Sequence, residues 1–230
     1  MDQEALRRAV GVVRERMARA AGRSGRSPAE ITLMAVTKTL PYDYAAAAMD
    51  EGITVFGENR VQEAAEKWVA VPESAELHLI GHLQRNKARL AAATFSWIQS
   101  VDRVETARAL SAACAASGKR CAILLEVNTS GEATKSGVGT REELAALLEG
   151  VAGLEGLEPR GLMTVGPLTD DAARVRRAFA ELRSMLEDAR RVNPSLRVLS
   201  MGMSSDYEIA VEEGSTLVRL GTALFGPRTA

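Results

Sequence analysis

The chain reads as an α/β protein, a single (β/α)8 TIM barrel with an extra N-terminal helix. Three observations predict this. Short β-rich apolar runs alternate with helical patterns through eight units in 230 residues, and such alternation implies parallel strands joined by right-handed crossovers. The fifth run, Cys121-Ala-Ile-Leu-Leu-Glu-Val127, is nearly all apolar, as a strand buried on both faces is. An open doubly wound sheet, the alternative, prefers a glycine fingerprint at the first strand–helix turn, and MAVTKTLP at 34–41 has none.

Taken in order, Leu6, Val10, Val13 and Met17 recur at helical spacing, so the N-terminus is an amphipathic helix that covers a core and supplies the eighth helix of the outer ring. Residues 31–37 form strand one, and an alanine-rich helix follows Pro41 and stops near Gly52. Strand two is 54–56, with a helix over 61–71; strand three is 77–80, with a helix over 84–93. Strand four is 95–99, after which Asp102 is expected to cap the next helix, with Glu105 three residues on. Strand five is 121–127, and Thr140-Arg-Glu-Glu143 is a capping box that opens a helix. Strand six lies within 157–165; Val175, Phe179, Leu182, Leu186 and Ala189 then mark one helical face. Strand seven is 197–200, a short helix spans 206–213, and strand eight is 216–220. No repeat, low-complexity tract or linker divides residues 1–230, so one domain is expected.

Composition narrows the function. Lys and Arg number 29 against 30 Asp and Glu, a net charge of -1, which lacks the basic excess of nucleic-acid binders. No apolar run approaches a membrane span. Cys114 and Cys121 make no disulfide framework and no CxxC motif, which fits a reducing cytoplasm. The arginine-rich start raises the question of a transit peptide, but the acids Asp2, Glu4 and Glu15 and the scarcity of serine argue against one.

Polar residues interrupt the pattern at the C-terminal end of each strand: Lys38, Asn59, His82, Ser100 with Asp102, Asn128, Thr164, Ser204, and Arg219 with Thr222. In a barrel these ends converge on the face that carries active sites. LSMGMSS at 199–205 and RLGTALFG at 219–226 are glycine turns with hydroxyls nearby, a chemistry suited to a phosphate dianion. The competing reading of Ser205 is a helix cap, since Ser205-Asp-Tyr-Glu208 is itself a capping box. Strand eight of a closed barrel pairs with strand one, so the turns lie beside Lys38. A reactive amine next to a phosphate cradle points to pyridoxal 5′-phosphate. Arg219, which donates but cannot accept, would then leave the pyridine nitrogen unprotonated and weaken the ring as an electron sink.

The stretches AVTKT, FGENRVQE, HLIGHLQRNK, NTSGEATKSG, GLMTV and, most specifically, MGMSSDYEIAVEEGSTLVRLGTALFG together resemble the pyridoxal-phosphate homeostasis proteins, the YggS/PROSC-like family, over nearly the whole chain. The resemblance implies a barrel similar to the N-terminal barrel of alanine racemases, with the cofactor held as an internal aldimine on Lys38. It carries the phosphate contacts to Ser204, Gly221 and Thr222, the ring-nitrogen contact to Arg219, and a cofactor-lining position to Asn59. It implies a role in maintaining vitamin B6 balance, with pyridoxal phosphate and apo forms of enzymes that use it as partners; little or no catalytic turnover, a cytoplasmic location and a monomer are expected. GLMTVGP departs from the family, which more often has two prolines after this strand.

Other readings compete for the same residues. Lys135 in GEATKSG is the rival amine, and Lys87 reads as a helix-surface lysine. His78 and His82 share a face of a regular strand, but no further ligands complete a metal site. Cys114 and Cys121 read as packing. Asp102 and Glu126 are a conceivable carboxylate pair, with Asp102 better explained as a cap and Glu126 as a structural partner inside the barrel. A pyridoxal-phosphate-dependent racemase needs an acid/base group on each face of the cofactor; Lys38 supplies one, and Tyr42, Tyr44 and Tyr207 lack a context for the other. In alanine racemases that second group comes from an additional β domain and dimer partner, which this sequence is expected to lack. An aldolase acting on a phosphorylated sugar would use Lys38 on its substrate.

Overall fold

A computed structural model describes residues 2–132 and 134–227. Helix α1 (Gln3–Arg23) precedes strand β1 (Thr32–Val36) and α2 (Tyr42–Asp50). Then follow β2 (Val55–Glu58), α3 (Val61–Lys67), β3 (Glu76–Leu79), α4 (Ala88–Thr94), β4 (Trp97–Val101) and α5 (Val104–Ser117). The second half runs β5 (Cys121–Glu126), α6 (Arg141–Val151), β6 (Leu157–Met163), α7 (Ala172–Val192), β7 (Val198–Ser200), α8 (Tyr207–Glu212), β8 (Leu217–Leu220) and the short α9 (Thr222–Phe225). The eight strands close in sequence order into a barrel, with every neighbouring pair parallel. The (β/α)8 expectation holds.

Closure places β8 beside β1, with Met34 opposite Arg219 and Ala35 opposite Leu220. Strand residues alternate between two environments. Met34, Val36, Val55 and Leu217 pack together inside the barrel with Ile80 and Val198. Ala35, Phe56, Leu77, Leu79, Ile123, Leu125, Val218 and Leu220 face outward into the larger core beneath the helices. Leu6, Val10, Val13 and Met17, the predicted stripe of α1, are all buried in that core. Helix α1 packs against α2, α8 and α9, so it fills the expected place in the ring. Arg23 joins it to Glu212 and Glu208 of α8, while Gln3 and Arg7 reach Glu51 beside α2.

Several boundaries differ from the sequence reading. Strand β4 begins two residues later than expected. Helix α3 stops at Lys67, because Trp68 turns inward to the core at 3% exposure. The segment leading into α4 opens with a 3-10 turn at Arg85–Lys87, and Lys87 is half-buried there rather than on a helix surface. Asp102 does not cap α5: the cap position is Arg103, which makes no side-chain cap bond. The box at Ser205 also fails to form; α8 starts at Tyr207 without a side-chain cap, and Asp206 Oδ1 instead accepts from Met203 N at 2.6 Å. The box at Thr140 is present as read.

Candidate functional site

Lys38 stands two residues past the end of β1, half-buried, in a turn. Thr39 beside it has φ of 65°, the one positive value outside glycine among the described residues. A β-branched residue in that region carries strain of about 1–3 kcal/mol and persists only where the surroundings impose it. They do so here through a buried clamp. Lys67 Nζ at the end of α3 donates to Thr37 O at 2.7 Å and Leu40 O at 3.0 Å, the carbonyls on either side of the turn. The same ammonium meets Glu58 Oε1 at 2.5 Å. Glu58, 1% exposed, also accepts from Thr37 Oγ1 at 2.7 Å and Trp68 Nε1 at 3.2 Å. An ammonium has three donors, and all three are engaged.

On the neighbouring strand β8, level with Met34, Arg219 sits inside the barrel at 4% exposure. Its Nη1 donates to Ser200 Oγ at 2.6 Å and its Nη2 to Thr164 O at 2.7 Å. Burial pulls its pKa down to about 10, against the opposing pull of Asp206 and Glu126, and at neutral pH it remains a cation. Ser204, in the loop after β7, accepts at Oγ from Ala223 N at 3.1 Å, which ties that loop to the start of α9. Gly221 lies against β1: a Cβ there would meet Val36 O at 3.4 Å. Thr222 is exposed beside it. A cavity of about 350 Å3 opens here, lined by Thr39, Leu40, Tyr44, Gly221, Thr222 and Phe225 among others.

Asn59 follows β2 and is half-buried. The next turn presses against it, since a Cβ on Gly81 would lie 2.2 Å from Asn59 O; only glycine permits that approach. The structure thus brings Lys38, Gly221, Thr222, Ser204, Arg219 and Asn59 to one end of the barrel. Thr164 bonds Val127 O and Thr129 Oγ1. Asn128 shapes its own loop by donating to Glu132 O and Lys135 O. Lys135 is engaged with Gly166 O at 2.7 Å and Glu132 at 3.1 Å. His78 and His82 do not pair, because β3 ends at Leu79 and His82 is exposed beyond it. Cys114 and Cys121 are buried free thiols.

Asp102 and Glu126 reveal a charge arrangement that the cap reading hid. Asp102 Oδ1 and Glu126 Oε2 are buried with no hydrogen-bond partner among the described residues, and Glu126 interacts with Arg219 through its charge. Burial, then the Asp102 charge, pushes the Glu126 carboxyl up to about 7, with Arg219 opposing. The native state therefore holds a proton that the unfolded chain releases near 4.5, and stability falls as pH rises from there to about 7. Glu126→Gln is expected to stabilise the ligand-free protein by up to about 3 kcal/mol at pH 8 and to have little effect at pH 4. Urea unfolding at the two pH values checks this, and a gain independent of pH would contradict it.

The clamp on the Lys38 turn was missed from sequence, although Glu58 ending an apolar strand was the visible signal. A larger apolar groove, about 610 Å3, lies outside the barrel between α6 and α7. It contains no lysine, and its Arg141 is paired with Glu181 and Asp188, so its chemistry does not suit a phosphorylated aldehyde.

Residues 9–229 match the family model described as alanine racemase, N-terminal domain. The pyridoxal phosphate homeostasis protein of Pseudomonas aeruginosa is 44% identical over 220 residues, covering 95% of this chain and 94% of the relative. The protein of that name in Escherichia coli K12 is 40% identical and covers 94% of each chain. Among solved structures, PipY of Synechococcus elongatus PCC7942 with PLP bound superposes with a TM-score of 0.79 at 36% identity, covering 93% of this chain and 100% of that one. A Clostridium difficile alanine racemase shares the fold at 16% identity and a TM-score of 0.70, this chain matching 53% of its length. Barrel, motifs and these likenesses agree: the chain belongs to the pyridoxal phosphate homeostasis protein family, built on the alanine racemase N-terminal fold.

Proposed function

We propose that the chain binds pyridoxal 5′-phosphate covalently through Lys38 and serves homeostasis of that cofactor in the cytoplasm, with little or no turnover of its own. The observation that carries the reading is the closure of β8 on β1, which sets the Lys38 turn beside Gly221 with the immobilised Arg219 below. The donor set fits the cofactor: an amine for the aldehyde, the Ser204 hydroxyl and the turn at Gly221 and Thr222 for the phosphate, and a guanidinium for the ring nitrogen. Asn59, which follows β2 at the same end of the barrel, is proposed to line the cofactor. The Lys38 amine forms a Schiff base with the aldehyde carbon and one water leaves. When bound, the ring supplies an electron sink, and a donor that cannot give up its proton weakens that sink. The whole chain then acts as one monomeric cofactor-binding domain whose clients are apo enzymes of the same cofactor.

Racemisation requires a second acid/base group facing Lys38. Tyr207 is in the core, Tyr42 packs edge-on to Trp68 at 5.3 Å, and Tyr44 packs edge-on to Phe225 at 5.8 Å. Titration of purified protein with pyridoxal phosphate is expected to produce a visible absorption band that borohydride removes, leaving a stable mass adduct on Lys38. Absence of band and adduct overturns the cofactor reading. Robust racemisation of any amino acid, lost in Lys38→Ala, overturns the non-catalytic one.

A further inference from the structure

A polar chain crosses the barrel interior below the site. Gln99 of β4, fully buried, contacts His78 Nδ1 through Nε2 at 2.8 Å and Ser200 Oγ through Oε1 at 2.6 Å. Ser200 accepts from Arg219 Nη1. At the far end His78 Nε2 lies 3.3 Å from Glu76 Oε2. The Glu76 side chain is 57% exposed at the first residue of β3, whereas that of His78 is 2% exposed. His78 also stacks on Trp97 with ring centroids 5.0 Å apart.

The ends of this chain dictate its direction. Arg219 can only donate, so Ser200 Oγ accepts and its single proton goes to Gln99 Oε1. The Gln99 amide then donates to His78 Nδ1, which must be unprotonated. The imidazole proton sits on Nε2 and points at the Glu76 carboxylate, which can only accept. Reversing Gln99 would leave Ser200 with two donors aimed at it. It would also turn a bare Nε2 lone pair toward Glu76 unless the buried ring were a cation. Burial disfavours that cation.

We infer that Glu76, His78, Gln99 and Ser200 are positioning residues for Arg219, forming a one-way hydrogen-bond chain that runs from the site to the solvent-facing opposite end of the barrel. Each bond in such a chain polarises the next, with a cation at the donating end and a carboxylate at the accepting end. The guanidinium is thereby fixed in orientation from strands β3, β4 and β7 as well as its own. A charge change at the exposed Glu76 is transmitted to the group that faces the cofactor ring. This consequence rests on the cofactor reading above; the direction of the chain does not.

The experiment has one arm without cofactor and one with it. In 15N-labelled ligand-free protein, long-range 1H–15N spectra are expected to show His78 as the neutral Nε2–H tautomer, assigned by loss of its signals in His78→Gln. A protonated Nδ1 in the folded protein overturns the chain. Gln99→Leu is expected to broaden the Arg219 side-chain N–H signals, to weaken pyridoxal phosphate binding about five- to tenfold, roughly one hydrogen bond's contribution, and to shift the absorption band of the bound form. Unchanged Arg219 signals, affinity and band overturn the positioning role. Glu76→Lys, at an exposed site, carries the same readouts should Gln99→Leu fail to fold. Wild-type protein that binds no pyridoxal phosphate defeats the cofactor reading alone, and the Arg219 and His78 signals still decide the chain.

Discussion

Lys38→Ala is expected to abolish covalent capture of pyridoxal phosphate while leaving the barrel folded. Lys38 is half-buried in a turn outside β1, and it is absent from both apolar clusters. Truncating it removes the only atom through which the proposed bond forms. Contacts from Ser204, Gly221, Thr222 and Arg219 would still support weak reversible binding. The loss in affinity is on the order of a hundredfold or more, about 3 kcal/mol. Spectral titration, borohydride trapping and intact mass read the effect, and circular dichroism reports the fold. A borohydride-stable adduct in Lys38→Ala would move the covalent role to another amine. Lys135 is the nearest candidate by chemistry, but its ammonium is already held by Gly166 O and Glu132, and attack would require that loop to open.

The alternation of apolar runs and helical faces made the barrel legible, because each strand carried its own signal. Cys121 to Glu126 could hardly be anything but a strand buried on both faces. The gathering of Lys38, Ser204 and Arg219 followed from closure alone, since β8 must pair with β1. What failed was local chemistry with two outlets. Asp102 followed by Glu105 has the spacing of a cap whether the aspartate turns to the helix or into the barrel; the structure takes the second course and leaves Oδ1 without a hydrogen-bond partner among the described residues. Ser205 and Asp206 present the same ambiguity, resolved by the Met203 amide. Contacts between distant elements had no signature at all. Nothing near Lys67 announces that its ammonium bridges Thr37 and Leu40, and nothing near Gln99 announces His78 and Ser200. Such contacts depend on which side chains the barrel turns inward and at what height, which the pattern of a single strand does not carry.

Lys67→Met is expected to cost more stability than any single change at the mouth of the site. The substitution keeps the apolar stem and removes the ammonium. It deletes three interactions, with Thr37 O, Leu40 O and Glu58. The larger effect is on what remains. Glu58 is 1% exposed, and its carboxylate would lose the ammonium while keeping the neutral donors Thr37 Oγ1 and Trp68 Nε1. Breaking a buried pair from one side typically costs about 3–5 kcal/mol, because the surviving charge is uncompensated. Adding Glu58→Gln to Lys67→Met removes that charge, so the double variant should be more stable than Lys67→Met alone. Denaturant unfolding of the four proteins in the cycle measures the coupling. Stability is not the only readout. The clamp pins the carbonyls on both sides of Lys38 and Thr39, and without it Thr39 is free to leave its positive φ. The double variant should therefore regain stability without regaining the rate at which Lys38 captures pyridoxal phosphate. If capture recovers together with stability, the clamp supports the fold but does not aim the lysine; if both stay at wild-type values in Lys67→Met, it does neither.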